Sequence, residues 1–121
     1  MTNKSNILIV GSDRVNLELL SQQLVKEGYE TVSAGSLEEL DSYIQEKKDT
    51  AVALIDLSGL GQGIWERCEA LHKANIPFIV ISPQRSPLIQ KDSMKYGASG
   101  LLVKPVGMKE LMEYIHTLLG E

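Results

Sequence analysis

Ala51-Val52-Ala53-Leu54-Ile55-Asp56 is an apolar run closed by a single carboxylate, and its reading decides the fold. Two further runs end in the same manner. Pro77-Phe78-Ile79-Val80-Ile81 stops at Ser82, and Leu101-Leu102-Val103 stops at Lys104-Pro105. Short apolar runs that alternate with helical patterns read as buried parallel strands. In a doubly wound sheet the ligand crevice lies at the carboxyl ends of such strands. A carboxylate, a hydroxyl and an ammonium are therefore expected to converge there. A charge at the end of an apolar run costs free energy unless it is exposed, paired or functional, so Asp56 leads the candidates. A helix N-cap or a solvated turn is the bland alternative for it.

Working outward, the pattern predicts five strands alternating with five helices. Asn6 to Val10 is the first strand, followed by a helix over about Asp13 to Glu27 with Leu17, Leu20 and Leu24 inward. Gly28 ends that helix as a left-handed residue. Tyr29 to Ala34 forms strand two, and Ser36 with Glu39 makes a capping-box pattern before Leu37, Leu40 and Ile44. The third helix carries Ile64, Cys68 and Leu71 on one stripe. The fourth, about Pro87 to Tyr96, has the weakest apolar face, and the last turns Leu111, Ile115 and Leu118 inward. The expected class is α/β, doubly wound around a five-stranded parallel sheet. Periodicity leaves the strand order open.

At 121 residues and 43% hydrophobic, the chain suits one core, expected to span residues 1–121 as a single domain. Twelve Lys and Arg against sixteen Asp and Glu give a net charge of −4, which argues against nucleic-acid binding. No apolar stretch reaches membrane-spanning length, and Met1-Thr2-Asn3-Lys4-Ser5 is too polar for a signal peptide, so Asn3-Lys4-Ser5 reads as an accidental glycosylation pattern. The lone Cys68 excludes an internal disulfide and fits a reducing cytoplasm. His72 and His116 have no metal-ligand spacing and are expected in solvent, as is the edge of Trp65. Gly59-Leu60-Gly61-Gln62-Gly63 matches neither dinucleotide nor Walker A glycine spacing and predicts only an unusual loop path.

Asp56, Ser82 and Lys104-Pro105, with Gly97-Ala98 before the last strand, together resemble the receiver domain of two-component response regulators. The resemblance covers essentially the whole chain and implies the flavodoxin-like order 2-1-3-4-5. It implies that Asp56 accepts a phosphoryl group, that Ser82 tracks the phosphate, and that Lys104 pairs with it across a cis bond to Pro105. It also implies Mg²⁺ held by Asp56, the backbone carbonyl of Ser58 and an acid pair after strand one. Here Gly11 and Ser12 occupy the acid-pair positions, and an acid follows one residue late at Asp13. Asp13 reads either as a displaced metal ligand or as the N-cap of the first helix. With two formal charges missing, Mg²⁺ binding is expected to be weak or absent. Pro83 removes a backbone N–H beside Ser82, and Leu101 stands where many receivers carry an aromatic residue.

The expected function is a cytoplasmic signalling receiver, not an enzyme beyond phosphoryl transfer to and from its own Asp56. Two mechanisms compete: a phosphohistidine donor transfers to Asp56, or the domain is a pseudo-receiver that binds partners unmodified. The implied partners are a histidine kinase or phosphotransfer protein and a downstream signalling protein. A homodimer through helix four, strand five and helix five is a further partner arrangement, on a face with Leu88, Tyr96, Leu101 and Lys109. A small flavodoxin-like enzyme or cofactor binder is the alternative from another class. It needs a phosphate-cradling loop after strand one, where Val10-Gly11-Ser12-Asp13-Arg14 offers one glycine.

Overall fold

Parallel strands β1 (Asn6–Val10), β2 (Glu30–Ala34), β3 (Val52–Asp56), β4 (Phe78–Ser82) and β5 (Gly100–Val103) form one sheet in the order β2-β1-β3-β4-β5. Helices α1 (Arg14–Lys26), α2 (Leu37–Gln45), α3 (Ile64–Lys73), α4 (Pro87–Lys95) and α5 (Met108–Leu119) alternate with them. The computed structural model describes residues 6–46 and 49–120. The glycosylation-like Asn3-Lys4-Ser5 lies outside the described residues.

Strand alternation sorts the core into two layers. Leu8, Val10, Ala53, Ile55, Phe78 and Val80 pack with α2 and α3 through Leu40, Ile64, Cys68 and Leu71. Ile7, Ile9, Val52, Leu54 and Ile79 pack with α1 and α5 through Leu17, Leu24, Leu111 and Ile115. The predicted inward stripes match these contacts, with Leu20, Leu37, Ile44 and Leu118 only partly buried. Tyr43 and Met112 join the core as well.

The helix starts follow local chemistry. Asp13 Oδ1 accepts from the Val15 and Asn16 N–H groups, which makes it the N-cap of α1. Ser36 Oγ accepts from Glu39 N–H, and Ser86 Oγ caps α4 ahead of Pro87. The chain leaves α1 through Gly28 at φ 97°. In α4 the one buried residue is Ser93, in keeping with its weak apolar pattern.

Trp65 corrects one expectation. It is buried and its ring stacks on Tyr96 at a centroid separation of 5.7 Å, instead of lying in solvent. Position 65 lies in the first turn of α3, where a sequence stripe gives little guidance, and the Tyr96 ring just past α4 covers it. His72 and His116 are exposed, as expected. Cys68 is fully buried, and burial pushes its thiol pKa up to about 12.

Candidate functional site

Asp56 ends β3 and Lys104 follows β5, two strands away across β4. Their side chains meet: Lys104 Nζ lies 2.7 Å from Asp56 Oδ2. The Lys104–Pro105 peptide bond is cis. The pair is partly sheltered, with 20% of the Asp56 side chain and 33% of the Lys104 side chain exposed. The other carboxylate oxygen, Asp56 Oδ1, accepts from the Ser58 N–H at 3.0 Å. Lys104 Nζ is also 3.5 Å from Ser58 Oγ.

Both sides of Ser58 are engaged. Its N–H donates to Asp56, and its carbonyl oxygen accepts from the Ser12 hydroxyl at 2.8 Å. Ser12 thus joins the β1–α1 loop to the β3–α3 loop. Its role could have been suspected from its place two residues past the end of β1, but only the fold brings it to residue 58.

Ser82 sits at the same edge of the sheet but turns elsewhere. The β3–β4 register sets Ile81 opposite Asp56, so alternation sends Ser82 toward the other face. Its hydroxyl donates to the Gln84 carbonyl at 2.5 Å, and the Gln84 N–H approaches it at 3.4 Å. Ser82 lines a groove of about 170 Å³ with Gln84, Arg85, Ile89 and Leu101. Asp56 and Lys104 instead face a cleft of about 530 Å³, walled by Asn16, Leu20, Ile81, Pro83, Val106 and Met108. The structure therefore gathers Asp56, Ser58 and Lys104, and keeps the Ser82 hydroxyl with its own loop.

Nearby charges are also paired. At the end of β2, Glu39 accepts from the Gly35 N–H and from Arg14 Nη2, the latter at 3.0 Å. Those two donors, the Gly35 N–H foremost, hold the Glu39 carboxyl below its ordinary range. Between α2 and α3, Arg67 grips Asp41 with two bonds of 2.9 Å and lowers the Asp41 pKa.

These groups do not fit octahedral Mg²⁺. Positions 11 and 12 supply no carboxylate, and Asp13 spends an oxygen on capping α1. Asp56 already faces an ammonium, and the Ser58 carbonyl already accepts a hydroxyl. Among the described residues no group of three His, Cys, Asp or Glu side chains could hold a metal. What the arrangement offers is one carboxylate beside one cation, open to a cleft.

Among the described residues no helix is long and apolar enough to cross a membrane. The chain is 28% identical over 113 residues to the haem response regulator HssR of Staphylococcus saprophyticus, covering 93% of this chain and 50% of that protein. It is 25% identical over 118 residues to the transcriptional regulatory protein AruR of Pseudomonas aeruginosa, covering 93% of this chain and 48% of that one. It spans about half the length of these curated relatives. A CheY-like response regulator receiver domain protein from Methanospirillum hungatei superimposes with a TM-score of 0.88 at 29% identity, over 98% of this chain and 95% of that one. FixJ-N, at 22% identity, superimposes with a TM-score of 0.85 over 99% and 97%, a likeness of fold. Receivers of this kind interact with histidine kinases or phosphotransfer proteins and typically hold Mg²⁺ in an acidic pocket. Nothing in these likenesses favours a flavodoxin-like enzyme. The pattern of the response regulator receiver domain matches residues 7–116, and the chain belongs to that family of two-component signalling.

Proposed function

We propose that this domain is a pseudo-receiver, recognised by its signalling partners while Asp56 stays unmodified. The observation that carries the reading is the Ser12–Ser58 bond of 2.8 Å. It engages one lone pair of the carbonyl that receivers offer to Mg²⁺, beside two positions that lack the acids. On this reading residues 1–121 form one cytoplasmic domain. Its partners are a histidine kinase or phosphotransfer protein, a downstream signalling protein, and no nucleic acid. The partner face comprises α4, β5 and α5, including the exposed Leu88 and the half-buried Tyr96 and Leu101, with Lys109 beside them. A homodimer would use the same face.

The second reading keeps Asp56 as a phosphoryl acceptor, and its support is the partly exposed carboxylate beside an open cleft. One Asp56 oxygen would attack the phosphorus of a phosphohistidine. An O–P bond would form as the P–N bond breaks, and the donor imidazole would leave. Lys104 would stay close to offset the added charge. Hydrolysis of that acyl phosphate would return Asp56, the self-catalysed limit of any activity. Ser82 would have to release Gln84 to reach the phosphoryl group.

Amide NMR with added beryllofluoride and Mg²⁺ tests the proposal. A pseudo-receiver gives at most small shifts near Asp56. Saturable shifts that run from Asp56 through Ser82 to β5 overturn it in favour of the acceptor.

A further inference from the structure

We propose that Ser12 is the positioning residue that sets this site without a cation, by tying the β1–α1 loop to the β3–α3 loop through the Ser58 carbonyl. The inference rests on the pseudo-receiver reading and names the residue responsible for it. Ser12 Oγ donates to Ser58 O at 2.8 Å, Ser58 N–H donates to Asp56 Oδ1 at 3.0 Å, and Lys104 Nζ closes on Asp56 Oδ2 at 2.7 Å. A continuous run of bonds thus reaches from β1 to β5 with no acid at positions 11 or 12 to demand a counter-ion.

The neighbouring residue is shaped to the same contact. Gly59 has φ 76°, and a Cβ added there would fall on the Ser12 hydroxyl and within 3.2 Å of Ser12 Cβ. Two requirements therefore meet at one glycine: the left-handed turn and the close approach of the Ser12 side chain.

The two neutral positions are unequal. A Cβ at Gly11 would stand 3.2 Å from Leu17 Cδ2 and 3.3 Å from Asp56 Cβ, so an acid there presses on the buried Leu17. An acid at position 12 can follow the direction the Ser12 side chain already takes toward Ser58. Its carboxylate would then face the Ser58 carbonyl and Asp56, an all-oxygen set that repels itself until a divalent cation sits between. Position 12 is therefore where cation dependence can be switched by one residue.

The experiment uses the full chain with Ser12→Ala, Ser12→Thr and Ser12→Asp, followed by NMR and thermal unfolding. Ser12→Ala should speed Ser58 amide exchange roughly three- to tenfold, the effect of losing one modest hydrogen bond, and move the Ser58 carbonyl carbon resonance. Ser12→Thr keeps the hydroxyl and should retain both wild-type values. Ser12→Asp should gain a Tm increase with millimolar Mg²⁺ that wild type lacks, with shifts confined to the two loops. An unchanged Ser58 in Ser12→Ala overturns the proposal, as does a folded Ser12→Asp indifferent to Mg²⁺. If Ser12→Asp does not fold, the Ala and Thr pair decides alone. The beryllofluoride response of wild type reports separately on the pseudo-receiver reading: a responsive wild type whose Ser12→Ala variant still loosens Ser58 keeps the tie and removes that reading.

Discussion

On the α1 and α5 side of the sheet, Asp56 and Lys104 look into an open cleft of about 530 Å³. On the opposite side, Ser82 is 1% exposed and bonded into its own turn, and the Trp65–Tyr96 stack joins α3 to α4. Residues that are neighbours at one edge in sequence terms are thus divided between two faces. The charged side holds the Asp56–Lys104 pair, and the other side holds the Ser82 hydroxyl and the Trp65–Tyr96 stack. The strands between them are joined by backbone bonds such as Lys104 N–H to Ser82 O at 2.9 Å, while the Ser82 hydroxyl takes no part in the ion pair.

Trp65→Ala should be the harshest way to break this contrast. Removing a buried indole should cost about 3–5 kcal/mol in urea denaturation and release Tyr96. The Asp56 and Lys104 resonances should stay in place; movement there would mean that the two sides are coupled after all.

Lys104→Met attacks the charged side. The ion pair lies between the surface and buried regimes, and with a third of the Lys104 side chain exposed its loss should cost about 1–2 kcal/mol. Its chemical-shift changes should cluster around Asp56, Ser58 and the α1–α5 cleft. Changes as large at Tyr96 would contradict the division.

Ser82→Ala sharpens the comparison with a smaller effect. Loss of the bond to Gln84 should lower stability by about 0.5–1.5 kcal/mol, with shifts limited to the turn before α4. An altered Lys104 side-chain signal would place the hydroxyl back in the charged site.

The mildest test lies on the α2 and α3 side but away from Ser82, at the Arg67–Asp41 pair. The Arg67 hydrogen bonds depress the Asp41 pKa below its ordinary 3.8. The resulting stability is complete above that value and is lost as pH falls through the depressed one. Arg67→Gln should therefore lower stability slightly at neutral pH and converge with wild type in acid. A difference that widens on acidification would reverse the assigned sign.

Several features were legible in the residues themselves. The apolar runs ending in Asp56, Ser82 and Lys104 located β3, β4 and β5, because a buried parallel strand needs continuous apolar side chains on both faces. Asp13 and Ser36 marked helix starts, because unpaired N–H groups in a first turn recruit nearby oxygens. Gly28 marked a helix end through its freedom at positive φ. All of these depend on neighbours within a few positions.

What the tertiary structure alone decided depends on residues far apart in the chain. Register placed Ile81 opposite Asp56 and so sent Ser82 to the other face, which a list of strand ends cannot reveal. The Trp65 ring is covered by Tyr96, thirty-one positions later, so its burial left no trace in the α3 pattern. Ser12 was visible in sequence only as the absence of an acid. The fold made it a donor by bringing β1 beside β3, forty-six residues from the carbonyl it meets. Local chemistry determines the elements and their ends; which polar atoms then face one another is set by strand order and register.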